Sequence, residues 1–149
     1  MKNHNRARSA WLSVARSQRG AAAVEMAVLL PVLVLIIFGT VEFGTYLYNQ
    51  QVLTNASREG ARAGIVQQTP RVTEAAIGQI VNNYASGRLV TFGNGGTSPS
   101  TAVASTGTGF GSDLTVTATY QYSFLVVGNL IPGFANSRTM RAATTMKYE

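Results

Sequence analysis

The sequence predicts an α+β protein, in which a long N-terminal helix crosses a membrane and continues as an amphipathic helix, followed by a second helix and a small C-terminal antiparallel sheet. Residues 21–41 are apolar apart from Glu25, Pro31, Gly39 and Thr40, directly after a polar and basic stretch. Beyond them, apolar residues recur at helical spacings, and residues 114–125 alternate with period two.

Composition agrees with a membrane-associated chain. Charged residues make up 12% of the 149, about half the share usual in soluble domains, while hydrophobic residues reach 46%. The net charge of +6 is concentrated at one end: Lys2, Arg6, Arg8, Arg16 and Arg19 precede residue 20 without an acid among them. From Ala21 onward seven basic residues face six acidic ones, so the body of the protein is nearly neutral. A nucleic-acid-binding domain needs its basic patch on the folded part, and no nucleic-acid partner is expected. Cysteine is absent, which excludes disulfides, thiolate metal sites and cysteine nucleophiles.

The apolar run reads as a membrane span. Its 21 residues reach roughly 31 Å at about 1.5 Å each, enough for a hydrocarbon core of about 30 Å. A secretory signal peptide has a shorter apolar region that ends at a small-residue cleavage site. Here residues 26–41 run into Glu42, Phe43 and Tyr46 with no Ala-x-Ala pattern, so a retained anchor is expected. The basic flank places the N-terminus in the cytoplasm, with Tyr46 and Tyr48 at the far interface. Pro31 bends or weakens the helix at a position that membrane helices tolerate. The expected organisation is a basic leader at 1–20, a transmembrane helix at 21–45, an amphipathic extension at 46–66 and a small extracytoplasmic domain at 67–149.

In the extension, Val52, Leu53, Ala56, Ala63 and Val66 supply the apolar face, with Asn49, Gln50, Asn55, Arg58, Glu59 and Arg62 mostly between them. Gly60 and Gly64 weaken this helix, and Pro70 ends it or opens the next turn. A second helix is predicted from Thr73 to about Tyr84, with Ala76, Ile77, Ile80, Val81 and Tyr84 as its stripe and Ser86 and Gly87 closing it. Residues 93–111, rich in Gly, Ser and Thr, read as a flexible loop or a pair of weak strands. In 114–125, Leu114, Val116, Ala118, Tyr120, Tyr122 and Phe124 line one face of a strand. A second strand follows at 138–148, after a linker containing Pro132 and Gly133, and the sheet is expected to pack on the second helix.

The most informative feature is the junction Arg19-Gly20-Ala21-Ala-Ala-Val-Glu25-Met26. A carboxylate near the start of a membrane helix is costly, by about 2.5–3.5 kcal/mol at the helix centre and less near its end. A cut after Gly20 would give Ala21 an ammonium group one helical turn from Glu25. That ammonium, on the same chain or a neighbouring subunit, is a natural partner for the carboxylate.

This junction resembles the processing site of type IV pilins, which a membrane-embedded prepilin peptidase cuts after the glycine, with glutamate fifth in the mature chain. The wider block is Arg19 to Pro31, then Gly39-Thr-Val-Glu42-Phe-Gly44, then Leu53-Thr-Asn55-Ala-Ser-Arg58-Glu59-Gly60-Ala-Arg62. It is similar to the TadE/TadG-like family of tight-adherence pilus proteins over residues 19 to about 64. The resemblance implies a minor pilin or pseudopilin of a Flp-type system in the bacterial inner membrane. It further implies processing by a prepilin peptidase and partnership with other pilus subunits or an assembly platform, a related minor pilin among them. Met26 departs from the aromatic residue that major pilins carry there, and the major pilin is much shorter than this chain. A minor role therefore fits better than that of the main subunit.

The same residues have plainer readings. Glu25 can sit near the cytoplasmic interface of an uncut anchor, which would make the chain a signal-anchored envelope scaffold or binding protein. Glu42 reads as an interfacial charge, and Glu59 and Arg62 as either members of the family block or an i,i+3 pair on a solvated face. No enzyme, cofactor, metal or small-molecule substrate is expected. The single histidine, His4, lies in the leader, and no Gly-rich phosphate loop follows a strand.

Overall fold

The computed structural model describes residues 4–92, 98–131 and 133–148. The chain divides into two compact units, Met1–Phe38 and Gly39–Glu149, and the first helix, α1 (His4–Ile65), has residues in both. In the first unit every side chain from Gly20 to Leu33 is exposed, so the apolar segment has no protein core to enter. It is long and apolar enough to cross a membrane. A helix satisfies its own backbone hydrogen bonds, which is what apolar surroundings demand, and Pro31 lies inside α1 without ending it.

The second unit is an α+β fold of two layers. Residues 39–65 of α1 and helix α2 (Glu74–Ala85) cover one face of a sheet made of β1 (Ser100–Ser105), β2 (Asp113–Ser123) and β3 (Ser137–Lys147). A short helix, α3 (Val127–Leu130), stands between β2 and β3. The sheet is antiparallel with β2 in the centre, Val116 pairing with Val103 on one side and Thr144 on the other. The period-two pattern of β2 sends Leu114, Val116, Ala118, Tyr120 and Tyr122 into the core. Val52, Leu53, Ala56 and Ala61 of α1 meet them, with Ile77, Val81 and Ala85 of α2 and Met140 and Ala142 of β3. Burying a Leu or Val side chain contributes about 1.5–3 kcal/mol, and this cluster carries the unit.

Helix α2 begins where the sequence places it. Thr73 caps it by accepting a hydrogen bond from the Ala76 amide at 3.2 Å, and Glu74 suits the positive end of the dipole. It ends at Ser86, and Gly87 takes φ +73°, the left-handed turn that glycine enters without penalty.

Four features differ from expectation. Part of the 93–111 stretch forms β1, an edge strand held by main-chain pairing to β2, so the sheet has three strands; residues 93–97 lie outside the described residues, as does Pro132. The sheet packs on α1 as well as α2. The buried face of α1 runs through Val52, Leu53, Ala56, Gly60, Ala61 and Gly64, whereas Ala63 is half-buried and Val66 exposed. Tyr46 is half-buried and lies against the rings of Tyr122 and Phe124, with centroids 5.7 and 6.2 Å away.

The glycines of α1 are part of this packing. A Cβ on Gly60 would come within 2.6 Å of Val81 Cγ2, and one on Gly64 would collide with Leu114 Cδ2 and Ile77 Cδ1. Their cost in helix propensity, about 1 kcal/mol each, is accepted because only hydrogen lets α2 and β2 approach. Gly64→Ala should lower the thermal midpoint by an amount corresponding to about 1–2 kcal/mol, overpacking outweighing propensity. Gly44→Ala, where nothing lies within 4 Å, should leave it unchanged or raise it. Melting followed by circular dichroism in detergent distinguishes the two.

Candidate functional site

The inner stripe of α1 carries polar side chains at Glu42, Asn49 and Ser57, all buried and roughly two turns apart. Each fastens a different part of the unit to the helix. Asn49 donates from Nδ2 to the Val90 carbonyl at 2.5 Å and accepts from the Val90 amide at 3.0 Å, holding the segment after α2 as a strand neighbour would. Ser57 shares a 2.8 Å hydrogen bond with Thr144 Oγ1 on β3. Gln50, at the margin of the stripe, donates to the Arg141 carbonyl at 3.0 Å.

Glu42 is the strongest of these. Its side chain is sealed, the residue being only 2% exposed, and three backbone amides converge on the carboxylate. Leu125 and Val126 donate to Oε1 at 2.6 and 2.7 Å, and Val127 donates to Oε2 at 3.0 Å. The carboxylate thereby satisfies the amides that open α3, and successive N–H groups give a buried negative charge what a cation otherwise would. Charge-assisted bonds of this length are roughly twice as strong as neutral ones. The expectation that Glu42 is an interfacial charge is corrected: it is an internal latch.

An aromatic cluster stands above the latch. The Tyr122 hydroxyl donates to the Glu42 carbonyl at 3.2 Å, and its ring meets Phe124 edge-on at 5.0 Å. Phe124 in turn contacts Phe134 at 5.3 Å. Burial, and after it the negative charge of Glu42, push the Tyr122 phenol up to about 12.

The other residues singled out in the sequence are dispersed along α1. Gly20, Ala21, Glu25 and Pro31 are all exposed on the apolar segment. Asn55 is half-buried and accepts from Gln51 Nε2 at 3.4 Å, and Arg58 is exposed. Glu59 and Arg62 form an exposed ion pair at 2.6 Å, in which the Arg62 hydrogen bonds hold the Glu59 carboxyl below its usual value against weaker desolvation. Gly60 belongs to the core. A cavity of about 220 Å³ beside Arg71 and Tyr148 is lined by Glu74, Ser105 and Thr108 among others. Among the described residues no group of three or more His, Cys, Asp or Glu is placed to hold a metal.

Glu42→Ala should destabilise the unit by about 2–4 kcal/mol, because it strands three amides at once, and Glu42→Gln should cost less since one acceptor oxygen remains. Denaturant unfolding measures both. The raised Tyr122 pKa adds a pH signature. The fold favours the neutral phenol, so this stabilisation is complete below about pH 10 and is lost as pH rises through about 12. Tyr122→Phe should flatten the alkaline limb of stability against pH.

No curated protein and no solved structure matches the chain. One family model does, over the apolar segment, the Glu42 region and the first part of the packed helix. Residues 20–62 match the family described as TadE-like protein, and the segment that the sequence likens to the TadE/TadG-like family is therefore a TadE-like segment.

Proposed function

We propose that the chain is a minor pilin or pseudopilin of a tight-adherence, Flp-type pilus system. It is made as a prepilin, inserted in the bacterial inner membrane with its N-terminus inside, and cut after Gly20 by a prepilin peptidase. The TadE-like match over residues 20–62 is the observation that carries this reading, and it suggests a Tad pilus-associated protein at the coarser level. The exposed apolar side chains from Val24 to Val41 support it, since a surface of this kind needs lipid or other subunits around it. The mature chain enters the pilus, or acts beneath it in assembly, through this helix.

In this reading Ala21 becomes the mature N-terminus and its ammonium pairs with Glu25, on the same helix or a neighbouring one. The span in this reading covers about 21–41 of the helix expected to cross the membrane, and the burial of Glu42 in the folded unit supports an end before the latch. The folded unit then stands outside the cytoplasm, where residues 42–65 of α1 serve as its central support. Asn55, Arg58, Glu59 and Arg62 lie at or near the surface of that support, open to a partner subunit.

N-terminal sequencing of the membrane-extracted protein tests the processing step. A start at Ala21 is expected, and Gly20→Leu should block the cut and leave the larger precursor. An intact Met1 in cells that process other pilins, or an unaltered mature size in the Gly20→Leu chain, would instead make this an uncut, signal-anchored scaffold.

A further inference from the structure

We propose that residues 124–131 form a foot that rests in the non-cytoplasmic interface of the lipid bilayer, so that the protein grips the membrane by this loop as well as by its helix. The inference rests on residues 21–41 spanning the membrane.

The loop descends along α1 toward the apolar segment. Phe124 stacks on Tyr46, the next three amides bind the Glu42 carboxylate, and a Cβ on Gly39 would lie 3.7 Å from the Val127 methyl. From Tyr46 to Gly39 is a descent of about 10 Å at 1.5 Å per residue. The loop therefore ends level with the last residues of the span.

What it presents there is apolar. Leu125, Leu130 and Ile131 are 52%, 48% and 39% exposed, beside Val41 and Phe43 at 54% and 60% on the helix at the same height. No charged residue occurs anywhere between Asp113 and Arg138. Arg138 pairs with Tyr122 in the sheet register and is exposed, so a cation is available at this end of the sheet to headgroup phosphates. An apolar tip with a cation behind it is the pattern of segments that settle about 5–10 Å into the headgroup and acyl boundary.

The backbone of the loop is prepared for such a place. The amides of Leu125, Val126 and Val127 are taken by Glu42, those of Asn129 and Leu130 by the Val126 carbonyl, and that of Ile131 by Val127. The Asn129 side chain donates to the Leu125 carbonyl at 2.7 Å. This pairing suits contact with lipid, where no water is at hand to bond backbone groups. The Phe124 amide bonded to the Asn136 carbonyl at 2.8 Å closes the base, and Gly128 fits so tightly that a Cβ would lie 2.9 Å from Asn136 Cα. The foot is thus a preformed element.

The test uses the full chain in a Trp11→Phe background, removing the one tryptophan. Leu130→Trp, with Leu125→Trp as a second position should the first fail to fold, is reconstituted in phosphatidylcholine and phosphatidylglycerol vesicles with or without bromine-labelled acyl chains. Blue-shifted emission that the bromolipid quenches is expected. Phe110→Trp serves as the distant control, in the turn at the opposite end of β2, and should be unquenched. Leu29→Trp serves as the span control and should be strongly quenched. If the foot positions quench no more than the Phe110→Trp chain while the Leu29→Trp chain is quenched, the foot is wrong and the span stands. Unquenched emission whose blue shift grows with protein-to-lipid ratio would assign the patch to a second copy and also overturn the proposal. An unquenched Leu29→Trp chain would overturn the span and the foot together.

Discussion

The end of the folded unit nearest the apolar segment is organised by the need to give the buried Glu42 carboxylate hydrogen-bond donors. A carboxylate removed from water without partners is far too costly to persist, so the chain must bring donors to it. It does so with three consecutive backbone amides, and that requirement fixes the path of the chain leaving β2, the start of α3 and the height at which both meet α1. The Tyr122 hydroxyl on the Glu42 carbonyl ties the end of β2 to the same helical turn. Asn49 and Ser57 repeat the device higher on the helix. Each uses one buried polar side chain to fasten a distant segment of the chain to the helix.

This arrangement explains how one helix serves two environments. From Gly20 to Leu33 its side chains are exposed, and from Glu42 onward its inner face is a packing surface with glycines where neighbours come closest.

Much of the architecture was legible in the sequence, because periodicity reports directly on burial. The 3.6-residue pattern of α2, the two-residue pattern of β2 and the apolar run of α1 each reflect a single dominant effect. What stayed hidden were the places where polarity and burial part company. Asn49 and Glu42 read as outward-facing because such side chains usually are, and only the distant partners Val90 and Leu125–Val127 make them internal. Gly60 and Gly64 read as weak points, since the sequence does not show that Val81 and Leu114 press against them. Strand β1 was obscured by its Ser and Thr content: as an edge strand it is held by main-chain pairing and buries little. At the candidate site, the Gly20–Glu25 pattern is one of local spacing, whereas the latch depends on contacts more than 80 residues apart.

The latch is tested most directly by amide hydrogen exchange in the wild-type protein, residue by residue. The account predicts that the Leu125, Val126 and Val127 amides exchange as slowly as those of the β2 core, and that Glu42→Gln accelerates these three while leaving β2 protected. Exchange of the same amides at the rate of the exposed turn around Phe110 would contradict it, since the carboxylate could not then be holding them.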